Sequence, residues 1–99
     1  MNNLDLYIEF KAENDIYKIA DYIAKDNKQA ALNFVKELQK CFELFCSNPK
    51  IGIKREDFTY RDVRFYVVKK HYLIVYTIID NSIHILRVLS SYQDICSIL

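Results

Sequence analysis

The spacing of apolar residues changes period twice along the chain, and this restricts the possible folds more than any motif does. Residues 4–10 (Leu-Asp-Leu-Tyr-Ile-Glu-Phe) carry their apolar side chains at even positions, the spacing of a strand with one buried face. From Ala12 the spacing becomes helical. Ile16, Ile19, Ala20 and Ile23 fall at i, i+3, i+4 and i+7, and the stripe ends near Lys25. Beyond Asp26-Asn27, a second stripe of Ala31, Phe34, Val35, Leu38, Cys41, Phe42 and Phe45 keeps one face apolar, and aromatic residues at this spacing read as core. Asn27 is placed to cap the second helix. Asn48 precedes Pro49 and so ends it, because the residue before proline is disfavoured in the α region. Two amphipathic helices with so short a join predict an antiparallel helical hairpin.

After Pro49 the pattern shifts again. Residues 50–60 hold the single glycine, Gly52, and the charged run Lys54-Arg55-Glu56-Asp57, the character of a surface connection. Three strand-like runs follow. Val63, Phe65 and Val67 alternate with Arg64, Tyr66 and Val68. Residues 72–79 are dense in β-branched and aromatic side chains, as an interior strand requires, and residues 82–89 alternate again. The breaks are Lys69-Lys70-His71 and Asp80-Asn81, the latter suited to a tight hairpin because Asp and Asn tolerate positive φ. The order is β-α-α-β-β-β, an α+β fold with a helical hairpin on one face of a largely antiparallel sheet, and residues 1–99 read as one domain.

Composition narrows the function. The chain is 52% apolar with one Gly and one Pro, which excludes disordered and repeat classes. The longest apolar stretch is too short for a membrane-spanning helix, and the N-terminus lacks the basic region of a secretory signal. Cys41, Cys46 and Cys96 form no metal-ligand or redox motif. Cys41 and Cys46 diverge on a helix, so reduced thiols and a cytoplasmic location are expected. No metal set, cofactor motif, P-loop or hydrolase signature is present. A net charge of +1 offers no global case for nucleic-acid binding. However, residues 1–53 carry net −1 and residues 54–99 net +2, and all four arginines lie in the second part. Arginine offers a forked donor for phosphate or carboxylate.

The candidate surface is therefore cationic and aromatic: Lys54, Arg61, Arg64, Tyr66, Arg87 and Tyr92. Arg87 stands in register with Ile83, Ile85 and Leu89 on a face otherwise apolar, so its guanidinium must meet a carboxylate such as Asp94, backbone carbonyls or a ligand phosphate. Tyr92 could move a proton only if cations such as Arg87 lowered its pKa. His71 in a turn and His84 on the face opposite Arg87 do not join this set, and no general acid–base pair is evident.

Several segments together resemble the RelE/ParE superfamily of toxins from type II toxin–antitoxin systems. They are Asp15-Ile16 with Ile19, Asp21-Tyr22-Ile23-Ala24, Asp26-Asn27, Ala30-Ala31, Phe34 and Leu38; then Leu44 and Pro49-Lys50-Ile51-Gly52; then Arg64, Tyr72-Leu73-Ile74-Val75-Tyr76, and Ile83-His84-Ile85-Leu86-Arg87-Val88-Leu89-Ser90-Ser91-Tyr92-Gln93-Asp94. The resemblance implies a growth inhibitor neutralised by a cognate antitoxin, and the missing motifs noted above leave no cofactor or metal expected. Residues 22–31 look more like the ParE-like branch, which poisons DNA gyrase. The RelE-like branch enters the ribosome and cleaves mRNA. For that alternative the resemblance implies Arg64, Arg87 and Tyr92 as catalytic groups; on either branch Lys54, Arg61 and Tyr66 are expected to contact the target or nucleic acid. Ser90 and Gln93 stand where many nuclease relatives carry His and Arg.

Overall fold

The computed structural model describes residues 3–55 and 62–90. Strand β1 (Asp5–Ile8) runs directly into helix α1 (Phe10–Asp26), which is followed by helix α2 (Lys28–Ser47) and strands β2 (Arg64–Val68), β3 (Tyr72–Ile79) and β4 (Ser82–Ser90). The expected order is therefore present. A single residue, Asn27, separates the helices. It ends α1 by donating its N–H to Ile23 O at 2.9 Å, and it opens α2 by accepting the Ala30 N–H on its side-chain oxygen at 3.0 Å. At the other end Asn48 N–H closes α2 on Leu44 O, just ahead of Pro49.

The sheet order is β1-β4-β3-β2. The β2–β3 and β3–β4 pairs are antiparallel. β1 lies parallel to β4 at the edge, because the helical hairpin intervenes between them and carries the chain back. The interior strand β3 is covered on both faces, as its composition requires: Ile74 and Val75, neighbours of opposite orientation, are both fully buried. Ile74, Tyr76, Ile83, Ile85 and Val88 pack with Phe34, Leu38, Phe42 and Phe45 of α2 and Ala12 of α1 to form the main core. Val63, Phe65, Val75 and Leu89 form a second cluster on the other side of the sheet. The Asp80-Asn81 turn has Asp80 at φ 53°, as its residue types allow.

Two local expectations are corrected. Residues 4–10 shrink to a four-residue strand whose side chains are all exposed. Leu6 and Ile8 face the helices yet remain 39% accessible, because β1 is an edge strand that the hairpin only partly roofs, and Phe10 has already entered α1. The second correction concerns β4. Its pairing with β3 slips between Val75 and Tyr76, which face Arg87 and Ile85, so Leu86 is an extra residue. This bulge resets the alternation. Ile83, Ile85 and Val88 belong to the helix-side core, whereas Leu86 and Leu89 join the second cluster. Arg87 thus leaves the register with Ile83 and Ile85 that simple alternation gave it, and His84 is no longer opposed to it by strand parity.

Candidate functional site

The cationic residues are held by a frame that begins at Tyr76. Its ring stacks on Phe45 with centroids 4.2 Å apart, and its buried hydroxyl donates to Pro49 O and accepts from Gly52 N, each at 2.8 Å. Burial raises the phenol pKa above its usual value, so the hydroxyl stays a donor. A Cβ on Gly52 would stand 2.6 Å from the Tyr76 Oη, which is why this position has no side chain. One strand over, Arg64 donates through one guanidinium nitrogen to Gly52 O at 2.7 Å and Lys50 O at 3.3 Å. Ile53 and Phe65 exchange backbone hydrogen bonds at 2.9 and 2.8 Å. The segment after Pro49 is thereby strapped along β2.

This strapping forms a cleft of about 250 Å³ where Lys50, Lys54 and Arg64 converge with Asp62, Thr77 and Ile78. Lys54 pairs with Asp62 at 2.9 Å and holds that carboxyl below its ordinary pKa, mainly by hydrogen bonding, while the Thr77 hydroxyl donates to Asp62 O at 2.8 Å. Both charged partners are well exposed, so the pair orients the side chains and adds little stability. With three cations against one acid, the cleft is suited to an anionic group.

The other sequence candidates lie elsewhere. Tyr66 packs edge-on to Phe45, centroids 5.3 Å apart, and is a partly buried neighbour of the main core. Arg87 turns the opposite way from Arg64. Its Nε and a terminal nitrogen grip Asp15 of α1 at 2.7 and 2.9 Å, and Asp15 also accepts the Val88 N–H at 3.0 Å. The hydrogen bond to Asp15 lifts the guanidinium pKa further. β1 pairs only as far as Ile85, so the following stretch of β4 has a bare edge, and α1 seals it with this carboxylate. The pairing acid for Arg87 is thus Asp15. Arg61, Tyr92 and Asp94 lie outside the described residues. Asp15, Tyr76, Lys50 and Thr77 were missed as site-shaping residues. For Tyr76 a signal existed: one phenol in the middle of an otherwise apolar strand must find a partner.

A second feature is an apolar groove of about 720 Å³ between β1 and the helical hairpin. Leu6, Ile8, Tyr17, Val35, Leu38 and Phe42 contribute to its walls. Its charged lining residues are both acidic, Glu13 and Glu43. Asp5 and Glu9 donate their amides towards β4, to Asn81 O and Ile85 O, which leaves the amides of Leu6 and Ile8 on the outer edge. Among the described residues no group of His, Cys, Asp or Glu could hold a metal ion, and no helix is long and apolar enough to cross a membrane.

The sequence pattern of the family described as the ParE toxin of the type II toxin–antitoxin system, parDE, matches residues 7–95. The chain belongs to the ParE toxin family. As a toxin of a ParDE system it has a cognate ParD antitoxin as its partner. Among solved structures, the toxin is similar to a chain of the chromosomal ParDE system from P. aeruginosa. The TM-score is 0.74 at 20% identity, with 90% of this chain and 97% of that one covered. It is also similar to a chain of the RelBE2 toxin–antitoxin complex from Mycobacterium tuberculosis, with a TM-score of 0.57 at 18% identity, covering 94% and 97%. These likenesses establish the RelE/ParE-like fold. Comparison with curated protein sequences yields no match.

Proposed function

We propose that the toxin arrests growth by binding DNA gyrase rather than by cleaving RNA, and that its antitoxin silences it by filling the apolar groove. The observation that carries the choice against cleavage is the two-pronged bond of Arg87 to Asp15. Cleavage through a 2′-hydroxyl needs groups that remove a proton, stabilise phosphate charge and protonate the leaving oxygen at one place. Here one guanidinium is consumed in sealing β4 against α1. The other is turned to the Pro49–Ile53 side, two strand spacings away. Membership of the ParE family and the ParE-like character of residues 22–31 support gyrase as the target. The groove suits an antitoxin segment that is apolar on one side with cations at its margins, because Glu13 and Glu43 flank an apolar floor beside an open strand edge.

Pure toxin is expected to block gyrase supercoiling and to lose this effect when antitoxin is added. Unimpaired supercoiling at stoichiometric excess would reject gyrase. New ends in primer extension on translated mRNA, abolished by Arg87→Ala, would move the target to the ribosome. Tyr17→Asp, at the groove, should weaken antitoxin binding and leave supercoiling inhibition intact; unchanged antitoxin affinity would reject the groove.

A further inference from the structure

Strand β1 forms one wall of the apolar groove, yet its own side chains bury little to hold it there. It is four residues long, lies at the sheet edge and has β4 as its strand neighbour. A short parallel edge strand is a weak element by itself. Leu6 and Ile8 stand opposite the core residues Ile83 and Ile85, but they line the open groove and stay partly accessible. Leu4, just before the strand, packs against the main core and donates its N–H to Cys46 O at 3.0 Å. From Asp5 to Lys11 no residue is buried.

The face of β1 turned away from the helices carries a different fastening. Tyr7 and His84 are register partners, and their rings stack with centroids 5.1 Å apart and planes 23° from parallel. His84 Nδ1 also lies 3.0 Å from Glu9 Oε1. A carboxylate oxygen accepts, so Nδ1 carries the proton in this bond. The histidine side chain is more sheltered than that of Glu9 and forms the centre of the group. Glu9 is the N-cap residue of α1, yet its side chain makes no capping hydrogen bond to the helix it begins. Its carboxylate is turned to the sheet instead. One imidazole of β4 thereby grips β1 at its middle through Tyr7 and just past its end through Glu9.

Glu9 is also the corner from which both walls of the groove leave. Leu6 and Ile8 precede it on β1, whereas Glu13 and Tyr17 follow it on α1, Glu13 donating its N–H back to Glu9 O at 2.9 Å. Fixing Tyr7 and Glu9 on the far face fixes Leu6 and Ile8 on the groove face, because neighbours on a strand point to opposite sides. We infer that His84 is a positioning residue for the antitoxin: it lies outside the groove and holds the β1 wall in place from behind the sheet. The inference rests on the antitoxin occupying the groove. Without the clamp β1 opens locally, and a site formed only part of the time binds with an affinity reduced by that fraction.

Antitoxin binding kinetics and amide hydrogen exchange, both on the full-length toxin, test this together. His84→Ala should weaken antitoxin binding by up to about tenfold, the worth of a ring stack, chiefly by slowing association. The Asp5 and Glu9 amides, bonded to Asn81 O and Ile85 O, should exchange faster while the amides of β3 keep their rates. His84→Asn sets an amide donor near the place of Nδ1 and should recover part of the affinity, which a role in packing alone would not allow. Tyr17→Asp, at the groove itself, separates the two readings. If it weakens binding and His84→Ala does not, the groove stands and the role of His84 falls; if it leaves binding unchanged, both fall. Unchanged exchange at Asp5 and Glu9 in His84→Ala would overturn the inference, as would no recovery in His84→Asn. Faster exchange throughout β3 would overturn it too, because a generally weakened fold would then account for the lost affinity.

Discussion

Replacing Asp15 by Ala removes three hydrogen bonds at once, the two to Arg87 and the one to Val88 N–H. The Asp15 side chain is 12% exposed and that of Arg87 23%, so neither orphan is fully recovered by water. An unsatisfied buried amide costs about 1–3 kcal/mol, and breaking a fully buried ion pair about 3–5 kcal/mol. With roughly a fifth of the guanidinium side chain in solvent, the low end of both ranges applies and the charge term is discounted further. The total loss is then about 3 kcal/mol. For a domain of this size that lowers the melting temperature by about 12–24 °C. Asp15→Asn keeps one acceptor and should lose about half as much. Adding Arg87→Leu to Asp15→Ala removes the unpaired charge and should restore part of the stability, so a double-mutant cycle reads the coupling directly. Urea unfolding of the four proteins measures it. A loss below about 0.5 kcal/mol for Asp15→Ala, the level of an ordinary surface change, would refute the reasoning that this carboxylate seals the sheet edge.

Gly52→Ala should lower stability by about 1–3 kcal/mol in urea unfolding, since the new methyl meets the buried Tyr76 ring, at 2.7 Å from Cε1, with no free space to enter; an unchanged midpoint would mean that the segment after Pro49 is not strapped. Alkaline pH should also destabilise the protein. Burial raises the pKa of Tyr76 and of Cys41, so above about pH 8.5–10 the unfolded chain loses protons that the folded chain retains, and stability falls as pH rises. Unfolding midpoints measured across that range should decline less steeply in Tyr76→Phe, and an identical decline would exclude Tyr76 as a source.

Both helices and the three C-terminal strands were legible in the sequence because each element declares itself by period. The α2 stripe from Ala31 to Phe45 predicts the residues that are buried, with only Val35 half-covered, and Asn27 and Asn48-Pro49 mark its ends. Local chemistry sufficed there, since caps and amphipathic faces involve neighbours in sequence. Lys54 and Arg64 were legible as cations, and the structure brings them to one cleft.

The destination of Arg87 was decided at long range. One extra residue at Leu86 turns the strand out of alternation, and the acid that receives the guanidinium lies 72 residues earlier, on a helix whose position depends on the whole sheet. The same holds for Tyr76 and Gly52, 24 residues apart and matched atom to hydroxyl. Periodicity reports which face a residue occupies, because that depends on the backbone repeat. It carries no information about which distant group stands opposite, because that depends on how separate elements pack. The fold class was therefore written in the chain's own spacing, while the partners of its polar side chains, and with them the site, came from tertiary packing.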